Sequence, residues 1–280
     1  MGGMRLAEQI QIALVSLIAA LAWIRPLSRR RQLKVYSLTI VMILIVCAGR
    51  FSANALGPTH STTLRDWLPA ALFLVPYWQV GNFFKGPNAI VQERLAAFDG
   101  RFFEMILPEH RSSRWSSAWS LYVEVVYLLV YPLIPLGLGV LYSAGLRHQA
   151  DYYWAVVSSS SYLCFGITPF VQALPPRMVN ASQTFHAPST RLRRLNHWIL
   201  QRASIQAITF PSAHVAAAVA AAMVLLHFVP LAGFAFGWLA LSIMVAAIVG
   251  GYHYVADVLL AFVIAVVIFS AFNASITIRT

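Results

Sequence analysis

Charge is what this 280-residue sequence has least of: 10 % of its residues are charged, against 59 % hydrophobic, and the mean hydropathy is +0.70. A water-soluble fold carries far more charge on its surface, so that class is excluded and a polytopic membrane protein is predicted. Cysteine is almost absent. Cys47 and Cys164 both lie inside apolar runs, with no Cys or His neighbours at metal-ligand spacing, which removes a disulfide framework and a cysteine metal site. Lysine is scarce too, since the basic residues are 18 Arg and 2 Lys, and with nine acids the formal net charge is +11. These arginines fall between apolar segments, where they meet lipid headgroups or phosphates rather than nucleic acid.

What is there is a series of apolar runs. Eight spanning helices are predicted, over residues 7–24, 35–53, 67–84, 118–144, 153–174, 213–229, 232–249 and 255–271, in one all-α membrane domain covering 1–280. The first run is followed by Arg25 and the basic triplet at 29–31 instead of a small-residue cleavage site, so it reads as a span and not as a cleavable signal. Pro69 and Pro76 interrupt the third, and Pro132 and Pro135 are expected to tilt or kink the fourth. The fourth also carries Glu124, a buried acid that either pairs with an arginine or serves the site. Residues 90–106 mix apolar and charged side chains and suit an interfacial helix. Trp115, Trp119, Tyr122, Tyr152, Tyr153, Trp154 and Trp198 fall near predicted helix ends, as interfacial anchors do.

By parity, the loops 25–34, 85–114, 175–210 and 250–254 share one side. They hold most of the positive charge, so the positive-inside rule predicts that side to be cytoplasmic in a multi-pass protein of the cell membrane.

The loop 175–210 contains Arg177, Arg191, Arg193, Arg194 and Arg202 with His186 and His197, and no acid. It faces anions by composition, either a substrate phosphate or, through a surface helix at 191–198, the lipid headgroups. Ser212 and His214 stand at the mouth of the sixth span, and Tyr252, His253, Tyr254 and Asp257 at the mouth of the eighth. Exactly two spans separate the mouths, so both open on the same side. His253 and Asp257 are four apart, so if the eighth helix begins by Tyr252 they share one face with the acid about 6 Å deeper. A carboxylate on one imidazole nitrogen aims the other at a reacting phosphorus and raises its basicity, while His214 can protonate the departing oxygen. The same pair is compatible with a structural bond or a proton relay, and Ser212 with a simple helix cap. The pattern calls for no metal and no cofactor. His227, in mid-span, is expected to pack or bond between helices.

Phe210-Pro211-Ser212-Ala213-His214 and Gly251-Tyr252-His253-Tyr254-Val255-Ala256-Asp257 resemble the second and third motifs of the type 2 phosphatidic acid phosphatase (PAP2) superfamily, and Pro175-Pro176-Arg177 looks like a remnant of the first. The likeness is nearest to the branch that includes inositol phosphorylceramide synthase and related inositolphosphotransferases. It implies a PAP2-like catalytic core over about 153–273, in which His253 becomes a phospho-histidine, Asp257 supports it and His214 serves as the acid. Ala246 and Ala247 stand where the phosphatase pattern has Ser and Arg, and Ala213 where it usually has Gly. Arg177 is therefore the first candidate for the phosphate clamp, then Arg191, Arg193, Arg194 and Arg202, with Ser212 beside them. Tyr252, Tyr254 and the loop 180–194 are candidates to shield the intermediate. The resemblance implies a membrane lipid with a phosphate-containing headgroup as substrate and transfer to an alcohol, inositol-like acceptor. A lipid phosphate phosphatase of the same superfamily and a transporter or non-catalytic scaffold are the alternatives, with Glu124 the one hint of a polar path.

Overall fold

The computed structural model describes residues 3–106, 116–179, 191–205 and 207–277. Trp115, His186 and residues 180–190 of the arginine-rich loop lie outside the described residues. Within them the chain folds into α1 (Leu6–Ile24), α2 (Arg29–Phe51), α3 (Ala53–Leu72), α4 (Val75–Gly81), α5 (Ala89–Ile106), α6 (Ser117–Ser143), α7 (Ala150–Ile167), α8 (Pro176–Val179), α9 (Arg191–Ala203), α10 (Ala213–Phe228), α11 (Pro230–Val249) and α12 (Val255–Thr277). The fold is all-α.

Five of these helices, α1, α2, α6, α11 and α12, are long and apolar enough to cross a membrane, and α10 is apolar but only 16 residues long. Two of the eight predicted spans differ in form from one unbroken α-helix. The predicted span 67–84 is divided: α3 ends at Leu72, the chain turns at Phe73 and Leu74, and α4 restarts with Pro76 in its first turn. Proline donates no backbone hydrogen bond and disfavours helix in the residue before it, so the break falls where Pro76 requires one. The predicted span 153–174 stops as an α-helix at Ile167, and a short 3-10 turn at Thr168–Phe170 follows around Pro169. Pro132 and Pro135, in contrast, sit inside the continuous helix α6.

The helix at the centre is α10, which packs against α6, α7, α11 and α12. Its alanines at 216, 217, 218, 220, 221 and 222 are all buried, and side chains that end at Cβ let four neighbours approach one short helix. Where α10 turns into α11, a Cβ on Gly233 would lie 2.2 Å from the Leu226 backbone, so only glycine fits. His227 packs edge-on against Phe228 and Phe269 near this turn.

Polar groups collect at the two ends of the bundle. At one end Asp151 of α7 accepts from the Leu6 and Ala7 amides at 3.0 and 2.9 Å, covering the free donors at the start of α1. Beside it Asp66 pairs with Arg5 at 2.6 Å and Arg147 at 3.0 Å, and Glu8 with Arg65 at 2.7 Å. At the other end the basic loops meet: Arg31 donates to the Phe84 carbonyl at 2.8 Å, the Asn88 amide to Gln172 at 2.8 Å and the Arg177 amide to Gly251 at 3.0 Å. Helix α5 is anchored there, because Asp99 accepts from the Val255 amide at 2.9 Å and so caps α12.

Asp66 is 3 % exposed and shared by two arginines and the Tyr142 hydroxyl. Asp66→Ala leaves those partners without their acceptor and is expected to destabilise the protein by roughly 3 kcal/mol. The midpoint of unfolding in a detergent titration measures this, and a change below about 0.5 kcal/mol would show that the cluster is a surface feature only.

Candidate active site

The second polar end holds the two motifs. Gly251 has φ of +69°, a conformation that costs glycine nothing, and the turn it makes brings the Tyr252 and His253 amides back to the Ala247 carbonyl, each at 2.9 Å. His253 is thereby fixed just ahead of α12, 4 % exposed, and its Nδ1 lies 3.1 Å from Oδ2 of the fully buried Asp257. The Ser212 amide donates to the Asp257 carbonyl at 3.2 Å, which locks the start of α10 to the first turn of α12. His214 follows two residues later. Its ring centroid is 6.1 Å from that of His253, in an edge-on arrangement, and its Nδ1 makes no hydrogen bond with the described residues.

Both imidazoles line a pocket with a cavity volume of about 30 Å³ together with Tyr77, Tyr127, Arg177 and Tyr252. Tyr252 anchors its polar side. The ring stacks on Tyr127 at 3.7 Å and 9°, the Arg177 guanidinium lies 5.0 Å from its centroid, and the hydroxyl donates to Glu124 at 2.7 Å. Burial first, and then the Glu124 carboxylate, push the Tyr252 hydroxyl well above the usual phenol range, so it stays protonated and keeps donating. Glu124 also accepts from Asn196 of α9 and lies 4.0 Å from Arg193. The acid in the fourth predicted span thus has an arginine partner and a tie to the site at once.

Not every predicted site residue reaches the pocket. Ser212 is buried as the cap of α10, its hydroxyl accepting from the Val215 amide at 3.5 Å. Tyr254 turns the other way and bonds to Gln92 of α5. Of the arginines, Arg177 lines the pocket, while Arg191, Arg194 and Arg202 are exposed and Arg193 turns toward Glu124. Helical period explains the sorting. Positions 191, 194 and 202 share the outer face of α9 with Trp198, on whose ring Arg202 lies at 4.5 Å, whereas 193, 196 and 200 face inward. Ala246 and Ala247, where the phosphatase pattern has Ser and Arg, are 1 % and 0 % exposed and pack in the core.

Tyr127 and Tyr131 are the residues that the motif search missed. Tyr131 meets His214 edge-on at 5.6 Å, and Tyr127 carries Tyr252. Their signal was present as Glu124, Tyr127 and Tyr131 at positions i, i+3 and i+7, one face of α6.

At the rim, burial pushes the Asp99 carboxyl up to about 7 against the pull of the Val255 amide it accepts from, and the Asp257 charge adds to the rise. The described residues contain no group of three or more His, Cys, Asp or Glu side chains able to hold a metal ion.

The order of parts along the chain is the last observation. No curated protein and no solved structure matches the chain. The family model described as PAP2 superfamily matches residues 101–271, a stretch that contains Arg177, His214, His253 and Asp257 and runs from the end of α5 into α12. With more than half of its length matched, the chain belongs to the PAP2 superfamily, which includes phosphatases and phosphotransferases acting in a membrane context.

Proposed function

We propose that the chain is an integral membrane lipid phosphotransferase in which His253 is the nucleophile. The observation that carries this reading is the buried His253–Asp257 contact at 3.1 Å with a second imidazole 6.1 Å away in the same pocket. With Nδ1 held by Asp257, the lone pair on Nε2 attacks the phosphorus of a lipid headgroup. The bond from phosphorus to its leaving oxygen breaks as the N–P bond forms, and His214 gives that oxygen a proton. In the return step His214 takes a proton from the acceptor hydroxyl, whose oxygen displaces His253 from phosphorus. Arg177 supplies the positive charge for the phosphoryl oxygens, in place of the arginine that Ala247 does not provide. The stacked Tyr127–Tyr252 pair beside the buried His253 supports an alcohol, inositol-like acceptor over water, because it limits solvent at the imidazole. The arginines of the loops that meet at this end support, through the positive-inside rule, a site on the cytoplasmic face of the cell membrane.

Purified protein in lipid nanodiscs gives the first check. His253→Ala is expected to abolish turnover, and Asp257→Asn to lower it by at least about 10²-fold through loss of imidazole orientation. His214→Ala is expected to impair lipids with poor leaving groups far more than activated aryl phosphates. Near-normal turnover by H253A, or equal loss for both leaving groups in H214A, contradicts the assigned roles.

The products decide between transfer and hydrolysis. With a phospholipid donor and a panel of polyol acceptors including inositol, mass spectrometry is expected to find the phosphoryl group on an acceptor hydroxyl. Free phosphate or a phosphomonoester as the sole product across the panel would make the protein a lipid phosphate phosphatase instead.

A further inference from the structure

A second, larger pocket adjoins the first. It has a cavity volume of about 210 Å³ among α3, α4, α6, α7, α9 and α10, and its walls include Ala70, Phe73, Leu74, Ile134, Phe165 and Ile199. Tyr77, Leu200, Ser204 and His214 line both spaces, so the two meet at these side chains. The division of chemistry between them is sharp. The inner space has both imidazoles and Arg177, and the outer one is bounded almost wholly by carbon, with Tyr131, 37 % exposed, beside His214 on its wall.

From this adjacency we infer that the outer pocket takes an aliphatic tail of the lipid whose phosphate is held between His253, His214 and Arg177. The inference rests on the proposed action on a lipid phosphate and adds where the tail lies. Three features support it. An apolar chamber facing water would hold a large unfavourable hydrocarbon surface, whereas an alkyl chain removes that surface from water methylene by methylene. The junction at His214 is where the phosphate ester of such a molecule has to sit if His214 protonates the leaving oxygen. The break in the third predicted span supplies the wall, since the turn at Phe73 and Leu74 between α3 and α4 brings aromatic and aliphatic side chains to the pocket. Ala70, Phe73, Leu74 and Tyr77 precede the family match at 101–271, so selectivity for the tail is contributed by the part of the chain outside the matched core.

The full-length protein in nanodiscs tests this with a phosphatidic acid bearing a photoactivatable diazirine at the end of one acyl chain. Cross-links are expected on peptides holding Ala70–Leu74, Ile134 or Ile199. Labels confined to outward residues such as Leu231, Phe234 and Trp238 of α11 would overturn the inference. Labelling needs no turnover, so a protein that labels in the pocket and transfers nothing fails only the enzymatic reading. Ala70→Phe fills the chamber and is expected to lower the ratio of kcat/KM for dioleoyl over dibutanoyl phosphatidic acid by about tenfold. An unchanged ratio in a folded A70F protein would also overturn the inference.

Discussion

An ionised group in a bilayer is tolerated only when something pairs with it, and in this chain that requirement organises nearly every acid. Six of the nine acids have an assigned partner that is structural or chemical: Glu8 holds Arg65, Asp66 holds Arg5 and Arg147, Asp99 caps α12, Glu124 holds Tyr252, Asp151 caps α1 and Asp257 holds His253. None of these contacts is decorative in its position. Asp66 and Asp151 fasten the end of the bundle away from the site, which fixes α1, α3 and α7 against one another. Asp99, Glu124 and Asp257 fasten the other end, where Asp257 orients His253 and the other two hold Val255 and Tyr252 on either side of it. The chain thus spends its few charges on holding two polar ends apart by the length of the helices, and one of those ends has reactive groups.

At the reactive end the supporting shell is layered. Asp257 is buried on the far side of His253, and the backbone of α10 is locked to α12 through Ser212. Glu124 acts one step further out, through Tyr252 to Arg177, and reaches α9 through Asn196. A phosphate between two imidazoles and one guanidinium therefore meets groups whose positions are already set before it binds, the condition under which electrostatic stabilisation of a transition state costs least.

Much of this was legible in the sequence, and the reasons for the rest are physical. The four-residue spacing of His253 and Asp257 is a local property, but α12 begins at Val255, so the observed contact joins the turn ahead of the helix to its first turn and is not a pair on one helical face. The loops 25–34, 85–114 and 175–210, basic in the sequence, are held at one end by the bonds of Arg31, Asn88 and Arg177. Composition did not show that an arginine-rich loop sends Arg177 inward and leaves Arg191, Arg194 and Arg202 outside, because that depends on which face of α9 meets α6. Hydropathy read 67–84 as one crossing since it averages over the turn at Phe73 and Leu74, and the proline that causes the break lies inside the window. The Arg5–Asp66–Arg147 cluster joins residues far apart in sequence, and no local pattern announces it.

The central claim is that His253 carries the phosphoryl group between donor and acceptor. Its most direct measurement is peptide mapping by mass spectrometry after a brief incubation with a phospholipid donor and an alkaline quench that preserves phospho-histidine. The account predicts the added group on the peptide containing His253, and none in His253→Ala. Turnover of the donor with no adduct on His253, or with the adduct on another residue, would contradict it.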